Sequence, residues 1–251
     1  MDLTAFYQEK DRLSYNPKEK YSIKRSGLRA LISYDDRFVT VAKNLSVLIR
    51  SIKKSEIKIL DIGVGDAIYE NLLVKDLLGR VGFYGIDISQ KQLTRAKRYL
   101  KEARVVDLDK EVIPYQGSFF DIVIASEVLE HVFYPEKVLQ EAARVLRPDG
   151  YLLLTYPNSG ALQLRLSLFF TGASPLLNYP INKEHIRFFR RQNILEMIGK
   201  NLELIHFEGL DSFLFGGWNF PIKIITPRIL EVLGNRFFPN LALGHFMVFK
   251  K

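Results

Sequence analysis

Residues 57–67 read IKILDIGVGDA, and this stretch decides the fold class. It opens with a short apolar run, rich in isoleucine, that is typical of a buried strand. Gly63 and Gly65 follow at once, and residues 67–78 then have the apolar spacing of a helix. A glycine-rich turn between a strand and a helix lets a ligand meet the main chain and its free N–H groups. The stretch therefore predicts a ligand-binding turn at the end of the first strand.

The alternation of strand and helix continues along the chain. Short apolar runs occupy residues 82–88, 104–107, 121–125 and 151–155, and helical spacing occupies residues 89–103 and 135–146. Ser89 is placed to cap the first of these helices, and Pro135 lies in the first turn of the second. This alternation predicts crossover connections and an α/β fold, with a mostly parallel sheet covered by helices on both faces.

The flanking segments are less regular. Helical spacing is found at residues 38–52, 161–170 and 194–200, and strand patterns are found at residues 202–207 and 242–249. Before the last strand, Thr226 and Pro227 are predicted to open a short helix that Gly234 closes. Residues 148–150 read PDG and predict a turn after the helix at 135–146.

The composition excludes several classes of protein. The chain has 251 residues, of which 47% are hydrophobic, and it contains no cysteine. Disulfides, zinc–cysteine sites, iron–sulfur clusters and cysteine nucleophiles are therefore ruled out. Residues 1–20 are polar and lack an apolar signal core, and no apolar stretch has the roughly 18 residues of a membrane span. We expect a cytoplasmic protein without a transmembrane segment.

The net charge of +8 is unevenly distributed. Residues 1–54 carry +6, residues 55–157 carry −3 and residues 158–251 carry +5. Basic flanks of this kind either attract an anionic partner or are simply solvated. Six basic residues lie near or within the aromatic-rich segment 213–238 in the sequence, namely Arg187, Arg190, Arg191, Lys223, Arg228 and Arg236. This combination suits a lipid-like, anionic acceptor or a membrane surface, although the aromatic segment would equally suit a small satellite core.

A carboxylate ends the second strand, at the sequence separation from the glycine turn that is typical of ribose-binding residues. Asp87 lies 22 residues after Gly65, where an acidic side chain can accept hydrogen bonds from both hydroxyls of a ribose. NAD enzymes share this feature, but Ile68 occupies the third glycine position of their fingerprint, and no phosphate-loop lysine is present. Asp107 follows the third strand and could face an adenine amino group or cap a turn.

A longer run then supports a specific assignment. Residues 119–132 read FFDIVIASEVLEHV and residues 139–150 read LQEAARVLRPDG. With the glycine turn, residues 57–158 resemble the class I S-adenosylmethionine-dependent methyltransferases that share LDIGCGTG, EVLEH and RVLRPGG motifs. Val64 replaces a cysteine of this pattern, and Ala67 and Asp149 replace glycines. We expect none of the three to prevent binding.

The resemblance implies a Rossmann-like fold with seven strands in the order 3-2-1-4-5-7-6, the last strand being antiparallel. It implies S-adenosylmethionine as cofactor and S-adenosylhomocysteine as product. The whole chain, 1–251, would form a single domain. Residues 1–54 would form an N-terminal helical lid, residues 55–158 the cofactor-binding core, and residues 159–251 the substrate-side insertions and last strands.

The resemblance also implies roles for individual residues. Asp61, Ile62, Gly63 and Gly65 would surround the methionine part of the cofactor, and Asp87 would hold the ribose. The remaining implied cofactor contacts are Ile88 and Leu108 at the adenine, Asp107 at its amino group, and Ser126 and Glu127 beside the sulfonium.

His131 is the candidate catalytic residue. A base is needed only where the acceptor starts protonated, and His131 would serve either as that base or as part of the site's architecture. His185 and Asn158 are candidate substrate contacts, with structural roles as the alternative. No metal is expected, since the spacing of histidine, aspartate and glutamate matches no recognised ligand set.

The sequence thus predicts methyl transfer to an oxygen or nitrogen of a small or lipid-like acceptor. Basic flanks leave an RNA or protein methyltransferase as one alternative, although no RNA-binding module is recognisable and nucleic acid is not the favoured partner. A non-enzymatic protein that binds the cofactor is the second alternative. An NAD-dependent oxidoreductase is the third, and Ile68 argues against it.

Overall fold

The computed structural model of the chain describes residues 36–73, 77, 79–172, 185–211 and 228–251. Its centre is a seven-stranded sheet in the order β3-β2-β1-β4-β5-β7-β6. The strands are β1 (Ile57–Ile62), β2 (Val81–Asp87), β3 (Glu102–Val105), β4 (Phe120–Ser126), β5 (Leu146–Pro157), β6 (Glu203–Leu210) and β7 (Gly244–Lys250). Only β7 runs antiparallel to its neighbours, β5 and β6. The predicted sheet order and antiparallel last strand are confirmed.

Seven α-helices are described around this sheet. They are α1 (Asp36–Ser51), α2 (Ile68–Leu72), α3 (Gln90–Ala96), α4 (Pro135–Val145), α5 (Leu162–Thr171), α6 (Arg191–Ile198) and α7 (Arg228–Phe237). Ser89 caps α3 by accepting a hydrogen bond from the Gln92 amide, and Pro135 occupies the first turn of α4, both as predicted. Among the helices described, none is both long and apolar enough to cross a membrane.

The sheet is buried on both faces because its strands are apolar on both faces. Leu60 and Ile62 of β1 pack into one hydrophobic cluster, together with residues of α4 and α6. Ile57 and Ile59 of the same strand pack into a second cluster, whose other members include the buried stripe of α1. Since successive side chains of a strand point to opposite faces, the unbroken apolar runs in the sequence are what a covered parallel sheet requires.

The strand register brings the carboxyl ends of the central strands to one edge. Ile62 pairs with Ile86 on β2 and with Ala125 on β4. The residues that follow these positions therefore emerge side by side at this edge. Open α/β sheets bind their ligands at such an edge, beyond the carboxyl ends of the strands.

Two helix predictions need correction. The helix predicted for residues 89–103 ends at Ala96 and is followed by a single 3₁₀ turn, since β3 begins at Glu102 to pair with β2. Gly234 does not close the last helix, because α7 continues to Phe237 and the Phe238 amide donates to the Gly234 carbonyl at 2.9 Å. The predicted start of that helix at residues 226–227 lies outside the described residues, as does part of the helix predicted for 67–78.

The predicted turn at residues 148–150 lies within the first part of β5. The pairing of β4 with β5 shifts register there, between Phe120 and Ile122. Asp149 has a φ of 63°, which is the left-handed conformation that glycine adopts without strain. Its carboxylate lies 2.7 Å from the Lys250 ammonium in an exposed ion pair. The departure from glycine at this position therefore places a strained residue in the turn.

We predict that Asp149→Gly is more stable than Asp149→Ala by about 1 kcal/mol, because left-handed backbone disfavours any side chain with a Cβ. Both variants lose the ion pair with Lys250, so the comparison isolates the backbone term. Urea unfolding followed by circular dichroism measures the difference. The matched control is Gln140, an exposed residue inside α4, where alanine should be more stable than glycine by about 1 kcal/mol. Equal stability of the two Asp149 variants would contradict the interpretation.

Candidate active site

The glycine turn after β1 is held tightly against its neighbours. The amides of Gly63 and Val64 both donate to the Ile86 carbonyl, at 2.8 and 3.1 Å. Gly63 and Gly65 have φ values of 70° and 51°, so both positions favour glycine. Gly63 is exposed although Ile62 and Val64 on either side are buried. The turn therefore presents bare main chain at the sheet edge, as the sequence predicts.

Asp87 joins this turn to the end of β2. One oxygen of its carboxylate accepts a hydrogen bond from the Gly65 amide at 3.0 Å, and the other accepts from the Ser89 amide at 2.8 Å. Burial raises the pKa of Asp87, and these two hydrogen bonds act against that rise. The carboxylate can still accept further hydrogen bonds, because each oxygen has two lone pairs.

A buried pair of carboxyl groups lies beneath the turn. Asp61 and Glu70 are 3% and 2% exposed, and neither oxygen of Glu70 has a hydrogen-bond partner among the described residues. Burial raises the pKa of Asp61 well above its usual range, and the nearby charges of Glu70 and Asp87 raise it further. Burial also raises the pKa of Glu70 to about 7. A positively charged ligand group above this pair would stabilise it.

A relay of hydroxyl groups crosses the end of β4. Tyr69 donates to Ser126 at 2.6 Å, Ser126 and Thr155 lie 2.7 Å apart, and Thr155 donates to Glu127 at 3.1 Å. Since the Thr155 proton goes to Glu127, Ser126 must donate to Thr155. Glu127 itself has a φ of 54°, a strained conformation for a residue other than glycine. The relay fixes Ser126 and Glu127 at the sheet edge.

The helix α1 reaches the same place. Arg37 forms an ion pair with Glu127 at 2.8 Å, and Phe38 packs on Tyr69 with ring centroids 5.7 Å apart. The described part of the predicted N-terminal lid therefore contacts the site through its first residues.

Three further side chains meet just beyond Glu127. His131 lies 3.9 Å from Glu130, measured between Nε2 and Oε1, and the rings of His131 and His185 have centroids 4.9 Å apart. Glu130 is 1% exposed, and neither of its oxygens has a hydrogen-bond partner among the described residues. Burial and the neighbouring charge of Glu127 raise the pKa of Glu130 well above its usual range.

These three residues could also hold a metal ion. One potential ligand atom from each of Glu130, His131 and His185 lies within 4.8 Å of the others. The sequence predicts no metal site, because His185 is far along the chain and spacing alone does not connect it with His131. The amide of Ile186 donates to the Glu130 carbonyl at 2.8 Å, which brings the two histidines together.

Asn158 and Asp107 have structural partners. The Asn158 amide group donates to the carbonyls of Asn240 and Ala242 at 3.0 and 2.8 Å, and its oxygen accepts from the Gly160 amide. The Asp107 carboxylate lies 2.8 Å from the Lys110 ammonium. The backbone carbonyl of Asp107 accepts hydrogen bonds from two backbone amides of the following turn. Ile88 is half-buried next to Asp87. Leu108 packs against the first hydrophobic cluster. The roles that the resemblance implies for Asn158, Asp107, Ile88 and Leu108 stay predictions.

Sequence reasoning missed Tyr69, Glu70, Thr155 and Arg37. Glu70 gave the one usable signal, since it is an acidic residue on the buried side of the helix that follows the glycine turn. The other three reach the site through long-range packing that spacing does not reveal.

The residues present fit S-adenosylmethionine. Gly65 leaves open space, because a Cβ there would have only the Gly63 carbonyl oxygen within 4 Å, at 3.9 Å. Asp87 would hold the ribose hydroxyls, and the buried carboxyl groups of Asp61 and Glu70 match the positive charge of the methionine part. The burial of two neighbouring carboxyl groups, Asp61 and Glu70, is the observation that most favours a cationic ligand.

We predict that Gly65→Ala weakens the binding of S-adenosylhomocysteine by about tenfold or more, because the new methyl group would stand in the ligand's space. Isothermal titration calorimetry measures the affinity. Gly65 is a better test than Gly63, where a Cβ would lie 2.6 Å from Val128 and disturb the protein itself. The matched control is Gly172→Ala, which has a similar φ of 67° and nothing within 4 Å of its Cβ. Unchanged affinity of Gly65→Ala would remove the turn from the cofactor site.

We predict that the free energy of unfolding falls as pH rises from 4.5 to 7. The lower limit is the usual pKa of a glutamate, and the upper limit is the pKa of Glu70 in the folded state, about 7. In this window the folded state retains a proton that the unfolded state has released, so rising pH favours unfolding. Glu70→Gln should weaken this dependence, and Glu136→Gln, on the exposed side of α4, should leave it unchanged. Chemical unfolding at several pH values provides the measurement, and an identical slope for Glu70→Gln would contradict the assignment.

Comparison with known proteins agrees with this geometry. Residues 60–154 match the family described as methyltransferase domain. The chain is 33% identical over 127 residues to the mitochondrial ubiquinone biosynthesis O-methyltransferase of Bos taurus, covering 47% of this chain and 33% of that protein. It is 38% identical over 103 residues to the 27-O-demethylrifamycin SV methyltransferase of Amycolatopsis mediterranei, covering 39% of this chain and 37% of the relative.

The match spans about a third of the length of these curated relatives. The fold also agrees with the solved structure of an S-adenosylmethionine-dependent methyltransferase from Archaeoglobus fulgidus, with a TM-score of 0.54 and 17% identity over 85% of this chain and 94% of that one. Residues 60–154 therefore match a methyltransferase domain, and the chain has the fold of class I, S-adenosylmethionine-dependent methyltransferases.

Proposed function

We propose that the chain transfers the methyl group of S-adenosylmethionine to a hydroxyl oxygen of a small, largely apolar molecule. The observation that carries this proposal is the cluster of Glu130, His131 and His185 beside the glycine turn. It supports a base at His131, which a hydroxyl acceptor would need. The two curated relatives named above are O-methyltransferases, which supports oxygen over nitrogen as the acceptor atom.

For this reaction the protein has to position the acceptor against the methyl group and to supply a base. S-adenosylmethionine supplies a methyl group that its sulfonium already activates. Held against the glycine turn and Asp87, the cofactor would give this methyl group to the acceptor oxygen, and its sulfur would keep the electron pair of the broken carbon–sulfur bond. Holding the oxygen in line at ~3–3.5 Å from the methyl carbon contributes most of the rate. The hydroxyl proton passes to the imidazole of His131, which is the step that a positioned base accelerates.

His131 is suited to this step by its surroundings. Its side chain is 21% exposed, so an acceptor can reach it, and Glu130 lies 3.9 Å away. His185 lies across the ring of His131 and would orient it.

The helix α1 contributes by covering the site. The contacts of Arg37 with Glu127 and of Phe38 with Tyr69 hold the start of α1 against the hydroxyl relay that contains Ser126. Excluding water in this way would protect the methyl group from hydrolysis and strengthen the electrostatic interactions in the site. The predicted organisation as one domain with an N-terminal lid, and the predicted cytoplasmic location, both remain predictions.

We predict that the purified protein transfers labelled methyl groups from S-adenosylmethionine to hydroxylated aromatic compounds, and that mass spectrometry locates the added methyl on oxygen. The panel should include catechols, phenols, amines, bulk RNA and unfolded protein. Label in the amines, RNA or protein only would contradict the proposal. Cofactor binding without transfer to any of these acceptors would favour a non-enzymatic role.

The same assay tests His131. His131→Ala should lower kcat by about 10²–10⁴-fold, the usual contribution of a positioned base, with little change in S-adenosylhomocysteine affinity. His206→Ala is the matched control, since that histidine lies on β6 beside Glu208, outside the cluster. A loss of only a few fold would show that His131 positions other groups.

A further inference from the structure

A cavity lies at the same edge of the sheet, beyond the end of β5. Its volume is about 430 Å³, and its wall includes three arginines, Arg165, Arg190 and Arg191, with Gly160 and His245. This volume falls in the range of small-molecule sites, which is about 300–1,000 Å³.

The three arginines converge on this cavity from two helices. Arg165 belongs to α5, whereas Arg190 and Arg191 form the start of α6. A Cβ built on Gly160 would lie 3.3 Å from an Arg165 Nη and 3.4 Å from the Arg190 Cγ. The two side chains therefore meet over Gly160.

Arg191 is the most constrained of the three. Its guanidinium carbon lies 4.7 Å from the centroid of the Phe207 ring, and its Nε is buried without a hydrogen-bond partner among the described residues. Its charge also lowers the pKa of His245, which burial already lowers to about 4. His245 is therefore neutral at physiological pH and adds no positive charge of its own.

The positive charge of the cavity has no internal balance. Within the ranges that the structure describes, none of the three guanidinium groups forms an ion pair with a carboxylate. Like charges that converge without a counter-ion repel one another, and an anion between them removes the repulsion. Guanidinium groups also bind the oxygens of phosphate and carboxylate in a bidentate geometry, which makes these anions the best match.

One short segment of the chain joins the candidate catalytic cluster to the wall of the cavity. The segment from His185 to Arg190 contacts Glu130 at its start and pairs Phe189 with Asn158 near its end. Five residues span at most about 18 Å, so the Cα atoms of His185 and Arg190 lie within that distance of each other, a length that an extended amphiphilic acceptor can bridge.

We propose that this cavity binds an oxyanion group, phosphate or carboxylate, between Arg165, Arg190 and Arg191. That the anion belongs to the methyl acceptor rests on the proposed function. The acceptor would then be an amphiphile with a hydroxyl group at His131 and an anionic group in the arginine cavity.

The test measures the direct binding of phenyl phosphate and of benzoate by calorimetry and by NMR. We expect binding to the wild-type protein at millimolar concentration, and a loss of about tenfold or more in Arg165→Gln and Arg191→Gln, since each removes charge-assisted hydrogen bonds. The matched control is Arg98→Gln, an exposed arginine beside Tyr99, which should bind within about twofold of wild type. Arg165 is exposed, so its variant is expected to fold even where loss of the half-buried Arg191 disturbs packing.

Vesicles of phosphatidylcholine with and without phosphatidylglycerol separate the two sources of phosphate. Binding to the acidic vesicles alone, with no affinity for phenyl phosphate or benzoate, would overturn the small-molecule site. Equal binding by wild type, Arg165→Gln and Arg191→Gln would also overturn it.

A separate measurement tests whether the bound anion is part of the methyl acceptor. Arg165→Gln should raise KM for carboxylate-bearing acceptors at unchanged kcat and leave KM for neutral acceptors unchanged. If no acceptor is methylated but the anion binding and its arginine dependence hold, the proposed function fails and the oxyanion site stands.

Discussion

The carboxylate of Asp87 holds the site together. It accepts one hydrogen bond from the glycine turn after β1 and another from the start of α3, so a single side chain fixes two loops at the carboxyl edge of the sheet. The parallel register of β1, β2 and β4 determines that these loops emerge together. Burial of the carboxylate opposes its charge, and the two amide hydrogen bonds offset that cost. The same group that would bind the ribose thus also shapes the turn on which the cofactor would lie.

The sequence was sufficient to predict the central part of this architecture. Unbroken apolar strands, a glycine turn after Ile62 and a capping serine at position 89 are local signals, and the structure has each of them in place. Local patterns were less reliable at element ends. The helix predicted to reach residue 103 stops early because β3 must pair with β2, and Gly234 is carried inside α7 by the continuing helix. In the first case a tertiary contact overrides the local preference, and in the second the hydrogen bonds of the helix simply continue past the glycine.

The site was predictable only where its residues follow strands. Asp87, Ser126 and Glu127 could be placed at the edge because the ends of parallel strands meet there. The pairing of Asp61 with Glu70, the contact of Arg37 with Glu127 and the meeting of His131 with His185 depend on how distant segments pack. Sequence spacing contains no information about such contacts. The arginine cavity is of the same kind, since Arg165 and Arg191 are brought together from two helices.

The hydroxyl relay has a consequence for how the site and the N-terminal helix influence each other. Tyr69, Ser126, Thr155 and Glu127 pass hydrogen bonds in one direction, and Arg37 terminates the series by neutralising Glu127. A molecule that binds against Ser126 or Glu127 therefore changes the anchorage of α1, and the anchorage of α1 changes the affinity of that molecule by the same factor. The helix and a ligand held at Ser126 or Glu127 would therefore be thermodynamically linked, and docking of the one would measure occupancy by the other.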